Sequence, residues 1–566
     1  MRRIRWQLLI AFGGLLLLFS YLLGQSPIEQ STESEPVAGG IYREALVGLI
    51  SRLNPLLDSN NQVDRDINRL LFRGLVRFDS RGIPQSDLAE SWAVSADATL
   101  YTFTIRDDAI WHDGEPVLSD DVIFTYSKFQ ESTYPGPADL HNVWKEINFV
   151  RLDDHTVQFQ LPEPFAPFLD FVSVGLLPDH LLRGVSAEEL IDHPFNIQPI
   201  GTGPFKFDRY LLEDGSISGV RLIAFEEFFE GRPFLDEIEF ILYPDEGRAL
   251  EAYYGEEVMG IGQVGTGILD RVLETPNLNL HSSSLPTINM IFLNHNNPEK
   301  AFLEEKKFRQ ALLLATNRQW IIDEVLGGQA VVAGGPILQG TWAYFESLRI
   351  EAYDSSRAEE LLDELGWEIP IGAIKGTPEY ARVNEDVLLS LDLVHSTDPI
   401  QVAVAQAIQE SWEFIGIRTN LVPSDGSTIL EEYLEPRNFE AVLINTNLGR
   451  FPDPDPYPFW HDSQVEAGQN YGGFSDRNIG IWLEKARTTP DLLLRADLYK
   501  NFQFRFQDQV PALLLYSTVY SYAIDTQVQG VRIGTIIDPS DRFANIIEWH
   551  IRFRRPAASS PSDSTS

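Results

Sequence analysis

The sequence predicts an α/β protein. Strand-like and helix-like segments alternate along the whole chain, and no internal repeat or long low-complexity tract interrupts them. Apolar residues fill 43% of the 566 positions, enough for large packed cores. Length alone suggests ~4 units of ordinary domain size.

Taken in order, the chain opens on Arg2, Arg3 and Arg5, followed by an apolar run from Leu8 to Leu23. Basic residues ahead of an apolar segment read as an export signal, with the rest of the chain outside. The run is close to the ~20 residues that span a bilayer. Leu22 stands where a cleavage site after Gly24 would want a small residue, so residues 1–24 are expected as an uncleaved signal anchor, with a cleaved signal peptide as the alternative. Residues 25–37 are polar and acidic with two prolines and read as a tether, and 557–566 as a disordered tail.

Helices are expected over Asp64–Arg73, Phe302–Ala315, Ser355–Leu365, Ile400–Ile415 and Ile479–Ala486. In the fourth, Val402, Ala405, Ile408 and Trp412 fall at helical spacing and Gly416 ends the run. Strands are expected over Tyr101–Arg106, Thr156–Gln160, Glu237–Tyr243, Ile288–Asn294 and Glu440–Asn445. The last two are continuous apolar runs, as in sheets covered on both faces. After the first strand, Asp113-Gly114 supplies a turn, and Ser119 is placed to cap a helix with Asp120 and Asp121 in its first turn.

The wording of that stretch carries more than its shape. Leu88-Ala89-Glu90-Ser91-Trp92, Tyr101-Thr102-Phe103, His112-Asp113-Gly114 and Asp120-Asp121-Val122 follow one another in fixed order. Further on stand Gly201-Thr202-Gly203-Pro204, Gly231-Arg232-Pro233-Phe234, Arg309-Gln310-Ala311 and Gly366-Trp367. The set resembles the signature of the family 5 bacterial extracellular solute-binding proteins, the peptide- and nickel-binding components of ABC importers, from roughly Gly39 to Ser517.

That resemblance implies a two-lobed periplasmic-binding-protein-like fold of type II, with mixed sheets, an extra domain on one lobe and a ligand cleft between the lobes. Lobe one is expected over residues 38–284 and 512–556, with the extra domain at about 76–197, and lobe two over 285–511. The implied function is that of an extracytoplasmic substrate-binding protein, not an enzyme. It would capture small peptides by lobe closure and deliver them to ABC permease subunits, as a monomer that meets the membrane through its N-terminal segment only. Many members of the family are lipoproteins, but Gln25 stands where the lipidated cysteine would be, and the chain has no cysteine at all. Alternatives are a binding protein for another solute, such as an oligosaccharide or a metal chelate, or a secreted hydrolase that uses paired carboxylates.

The candidate site is Asn445–Asp462, NTNLGRFPDPDPYPFWHD, where an apolar strand runs into a proline-stiffened loop. Carboxylates held beside aromatic faces suit a cation such as a peptide ammonium. Asp453, Asp455, Arg450, Asn447, Trp460 and Tyr457 are the expected ligand-binding residues. In peptide-binding members an Asp of such a loop anchors the ligand amine. Here that is Asp453 or Asp455, with Asp453 preferred as the nearer to the strand end. Arg450 would hold a ligand carboxylate.

Other chemistries find little support. A formal net charge of −39 repels nucleic acid and anionic lipid. The lack of cysteine removes disulfides and thiolate metal sites. Gly260-Ile261-Gly262-Gln263-Val264-Gly265 matches G-x-G-x-x-G, yet a helix-like stretch precedes it and no acidic residue follows at the right distance. No catalytic residue, metal site or cofactor is expected.

Overall fold

The computed structural model describes residues 36–377, 379–449 and 451–551. The expected signal anchor, nearly all of the tether, Arg450 and the C-terminal tail lie outside them. An eleven-stranded mixed sheet runs through the molecule. Its two longest strands, Leu278–Leu293 and Ala512–Asp525, lie side by side and antiparallel at its centre. Toward one edge follow Gly260–Ile261, Ile41–Val47, Glu237–Tyr243, Ser216–Ala224 and Phe205–Glu213. Toward the other follow Ala441–Asn447, Ser390–Ser396 and Arg418–Ser424.

The apolar runs explain the central strands. Ile291 and Leu293 enter a core on one face, and Met290 and Phe292 enter a second core on the other. Both cores are built from residues between Ile288 and Tyr516. A third core joins residues from Tyr42 to Phe240 with Tyr520–Trp549 of the returning chain. Each large side chain buried in these cores contributes about 1.5–3 kcal/mol. The molecule is thus two-lobed, and among the described residues only the two long strands run from one set of cores to the other. Their register breaks between Ser284 and Ile288. Pro286, which has no N–H to donate, sits in that break and accepts from the Leu448 amide instead.

On lobe one, Ala89–Val94, Leu100–Ile105, Thr156–Gln160 and Asn148–Arg151 form a separate four-stranded antiparallel sheet. Tyr126 stacks on Trp144 at 4.6 Å beneath it, with Phe129 and Phe159 alongside. The helix after the Asp113-Gly114 turn starts at Ser119, but its cap is Leu118. The Asp121 carboxylate reaches back to the Leu118 amide at 2.9 Å, which leaves the buried Ser119 hydroxyl without a partner among the described residues. The G-x-G-x-x-G stretch is the short strand Gly260–Ile261 and a turn pinned by Glu246, whose carboxylate accepts from Gly265 N at 2.8 Å.

Candidate functional site

A cavity of about 960 Å³ opens between the lobes. Lobe one supplies most of its wall, beginning with the loop 55–59 and the helix Gln62–Leu71. Asn61 caps that helix by accepting from the amides of Val63 and Asp64. Asp64 ties the preceding loop to it by accepting from Ser51 N at 2.9 Å and Arg52 N at 2.8 Å. Arg65, Asn68 and Arg69 then stand on one helical face, three and four residues apart, along the cavity.

The returning C-terminal stretch closes the wall beside them. Arg542, fully buried, pairs with Glu44 at 2.6 Å and Asp66 at 2.7 Å. This fixes the turn Pro539–Phe543 against the helix and the strand Ile41–Val47. Asp538 then meets Arg65 at 2.9 Å and Asp541 meets Arg69 at 3.4 Å. Farther along, Arg73 and Arg77 share Glu230, at 3.2 and 2.6 Å. The acidic chain thus lines its cavity with guanidinium groups that each meet a carboxylate, Arg65 and Arg69 one within the wall and Arg73 and Arg77 one behind it.

Asp58 stands apart from that pairing. Its carboxylate accepts from the Asn68 amide at 2.9 Å, and no described cation forms an ion pair with it. Arg65, whose charge acts on Asp58, spends its Nη1 on the backbone oxygens of Asp58 and Ser59, at 3.1 and 2.6 Å. Burial pushes the Asp58 carboxyl up to about 7.

Lobe two contributes Thr341 and the expected loop, through Asn447, Gly449, Phe451 and Pro452. Asn447 ends the strand Ala441–Asn447, and its side-chain oxygen accepts from Gly449 N at 3.0 Å. The other expected side chains stand behind the cavity wall. Both oxygens of Asp453 receive Arg495, at 2.5 and 2.7 Å, in a pair that is almost wholly buried. Asp455 faces Arg487 at 3.2 Å. Tyr457 stacks on His461 at 4.2 Å, with the Arg487 guanidinium 4.6 Å from its ring. Trp460 is core, packed on Phe506 at 4.6 Å and Phe292 at 5.8 Å.

The same loop is one of the places where the lobes touch. Asp453 N donates to Asp170 of lobe one at 2.9 Å, and Phe451 meets Phe171 at 4.9 Å. Ala166 N donates to Arg487 O at 2.7 Å, and Trp342 N to Arg81 O at 2.8 Å. Burial, and then the neighbouring Asp453 charge, raise the Asp170 carboxyl well above its ordinary range.

Sequence reasoning did not find Asp58 or Asn68. The available signal was the helix itself, whose Arg65, Asn68 and Arg69 share a face that carries no apolar stripe.

Two lobes joined by a pair of shared strands around a polar cavity define a solute-binding protein. The model of the bacterial extracellular solute-binding proteins, family 5, matches residues 84–469. This chain belongs to that family. It is similar to the dipeptide-binding protein of Escherichia coli K12, 28% identical over 536 residues, covering 89% of this chain and 94% of that protein. It is also similar to the oligopeptide-binding protein AppA of Bacillus subtilis, 25% identical over 535 residues, covering 92% of this chain and 93% of that protein. Among solved structures, NikZ from Campylobacter jejuni, in complex with Ni(L-His), matches with a TM-score of 0.65 at 26% identity, covering 90% of this chain and 99% of that one.

Proposed function

We propose that this protein captures small peptides outside the cytoplasm and delivers them to the permease of an ABC importer. The observation that carries the reading is the cavity of about 960 Å³, enclosed by both lobes and lined by groups of both charges. A short peptide is itself a zwitterion with amide edges, and cavities of ~300–1,000 Å³ suit ligands of that size. The named ligands of the two relatives, a dipeptide and an oligopeptide, point the same way.

Closure would pivot on Leu278–Leu293 and Ala512–Asp525, near the break at Pro286, with the core of Tyr42–Phe240 and Tyr520–Trp549 in one lobe and the cores between Ile288 and Tyr516 in the other. Ligand favours the closed state because only there do both walls touch it. Asn447, Gly449, Phe451 and Pro452 act as the lobe-two wall. Asp453 and Asp455 hold that wall in shape through Arg495 and Arg487. The protein works as a monomer and does no chemistry on its ligand. Its N-terminal segment keeps it at the outer face of the membrane.

Native mass spectrometry of the full chain tests this reading. A pool of di- to pentapeptides should remain bound in a one-to-one ratio and be recovered intact. Recovery of cleaved peptides would indicate a hydrolase, and retention of oligosaccharides or metal chelates in place of peptides would indicate another solute.

A further inference from the structure

We propose that Asp58, with Asn68 beside it, seats the ammonium group of the bound ligand on the lobe-one wall. The proposal rests on the peptide reading for the ligand's class, and on the local geometry for the seat.

Among the described residues four carboxylates line the cavity: Asp58, Asp79, Asp538 and Asp541. Asp538 and Asp541 each face a guanidinium, that of Arg65 and of Arg69. Asp79 is exposed, and one of its oxygens takes the amides of Arg81 and Ile83. Only Asp58 is both sheltered and without an ion pair among the described residues. A single neutral amide, that of Asn68, does not offset the cost of taking a carboxylate out of water.

Asn68 supplies the independent observation. It lines the same cavity and is only 3% exposed. Its Nδ2 donates to Asp58, which fixes the amide's orientation, and its Oδ1 is then a buried acceptor with no hydrogen-bond partner among the described residues. Buried acceptors are seldom left empty, and an unmet one costs free energy. A carboxylate lacking a cation and an acceptor lacking a donor, side by side in one cavity, are both completed by a single ammonium group. Phe72, Phe129 and Tyr134 line the same cavity.

The seat also predicts a proton count. The charged groups that act on Asp58 are Arg65 and Asp64 on the helix and Asp538 on the C-terminal stretch. Burial raises the carboxyl most, and Asp538 and Asp64 add to it against Asn68 and Arg65. With the carboxyl at about 7 in the empty cavity, a cation that demands the charged form displaces about half a proton at pH 7. The release grows toward pH 6 and fades toward pH 8.

The test uses the full chain in detergent, equilibrium dialysis against an equimolar tripeptide pool, and the same pool N-acetylated. Wild type is expected to take up the free-amine pool at least tenfold better than the acetylated one. Asp58→Asn should lose at least tenfold on the free pool and most of the discrimination, and Asn68→Ala should show a smaller loss. A variant Asp58→Asn that keeps the wild-type preference for free amines overturns the seat and leaves the peptide reading standing. If wild type takes up neither pool, the peptide reading fails, and n-butylammonium chloride then decides the seat. At pH 7 it should move the ¹³C carboxyl resonance of Asp58 saturably toward the ionised position. An unmoved resonance overturns the seat. The same resonance decides if Asp58→Asn does not fold.

Discussion

Two aspartate-bearing segments face each other across the molecule, and they spend their charge differently. On lobe two, Asp453 and Asp455 look like ligand anchors in sequence, yet each meets an arginine of its own lobe. On lobe one, Asp58 lies in a loop that lines the cavity, and it has no ion-pair partner among the described residues. A carboxylate already held by two short bonds from a buried guanidinium has its electrostatic need met internally. One held only by a neutral amide keeps it for a ligand. What marks a binding carboxylate is therefore its missing partner more than its neighbourhood of aromatics.

The largest expected effect strikes the lobe-two side. Asp453→Asn leaves Arg495, 2% exposed, without its countercharge. Breaking one partner of such a buried pair costs about 3–5 kcal/mol, to be read from urea unfolding of the ligand-free protein. An unchanged midpoint would free Asp453 for the ligand role and blur the contrast. Next in size is ligand binding at Asp58. Asp58→Asn should weaken capture of free-amine peptides by about 2 kcal/mol or more, measured by calorimetry.

A third effect is a slope. The Asp58 carboxyl sits at about 7 in the folded chain and near 4 in the unfolded one. Between those values the folded state holds a proton that the unfolded state has released, so stability falls as pH rises through that window and is level above it. The slope contributed is at most about 1.4 kcal/mol per pH unit. Asp58→Asn should remove it, so that the variant gains on wild type from pH 4 to pH 7 in urea titrations. The smallest effect is at Asp455, whose partner Arg487 is one-third exposed. Asp455→Asn should cost about 1 kcal/mol or less. A loss as large as that at Asp453 would show that both pairs hold the loop equally.

Much of the fold was legible. Thr156–Gln160 and Glu237–Tyr243 occur as expected, because simple alternation or continuous apolar character marks their limits. The helix Leu492–Gln509 was not foreseen, because apolar residues surround it, with Leu493, Leu494 and Phe504 left exposed. The first half of Leu278–Leu293 was hidden by its polar residues and Pro286. At the site, local reading singled out a loop that reaches the cavity wall through Asn447, Gly449, Phe451 and Pro452, and could not see what its aspartates pair with. Arg495 lies 42 residues beyond Asp453, and the turn that holds Asp66 through Arg542 is 476 residues away. Pairing across such distances is a property of the packed chain, and periodicity carries no trace of it.

The most direct measurement is a crystal structure of the protein with a captured peptide. The account predicts the ligand ammonium nitrogen at about 3 Å from the Asp58 carboxylate, with the Asp453–Arg495 pair intact. An ammonium seated on Asp453, with Arg495 turned away and Asp58 facing only water, would contradict it.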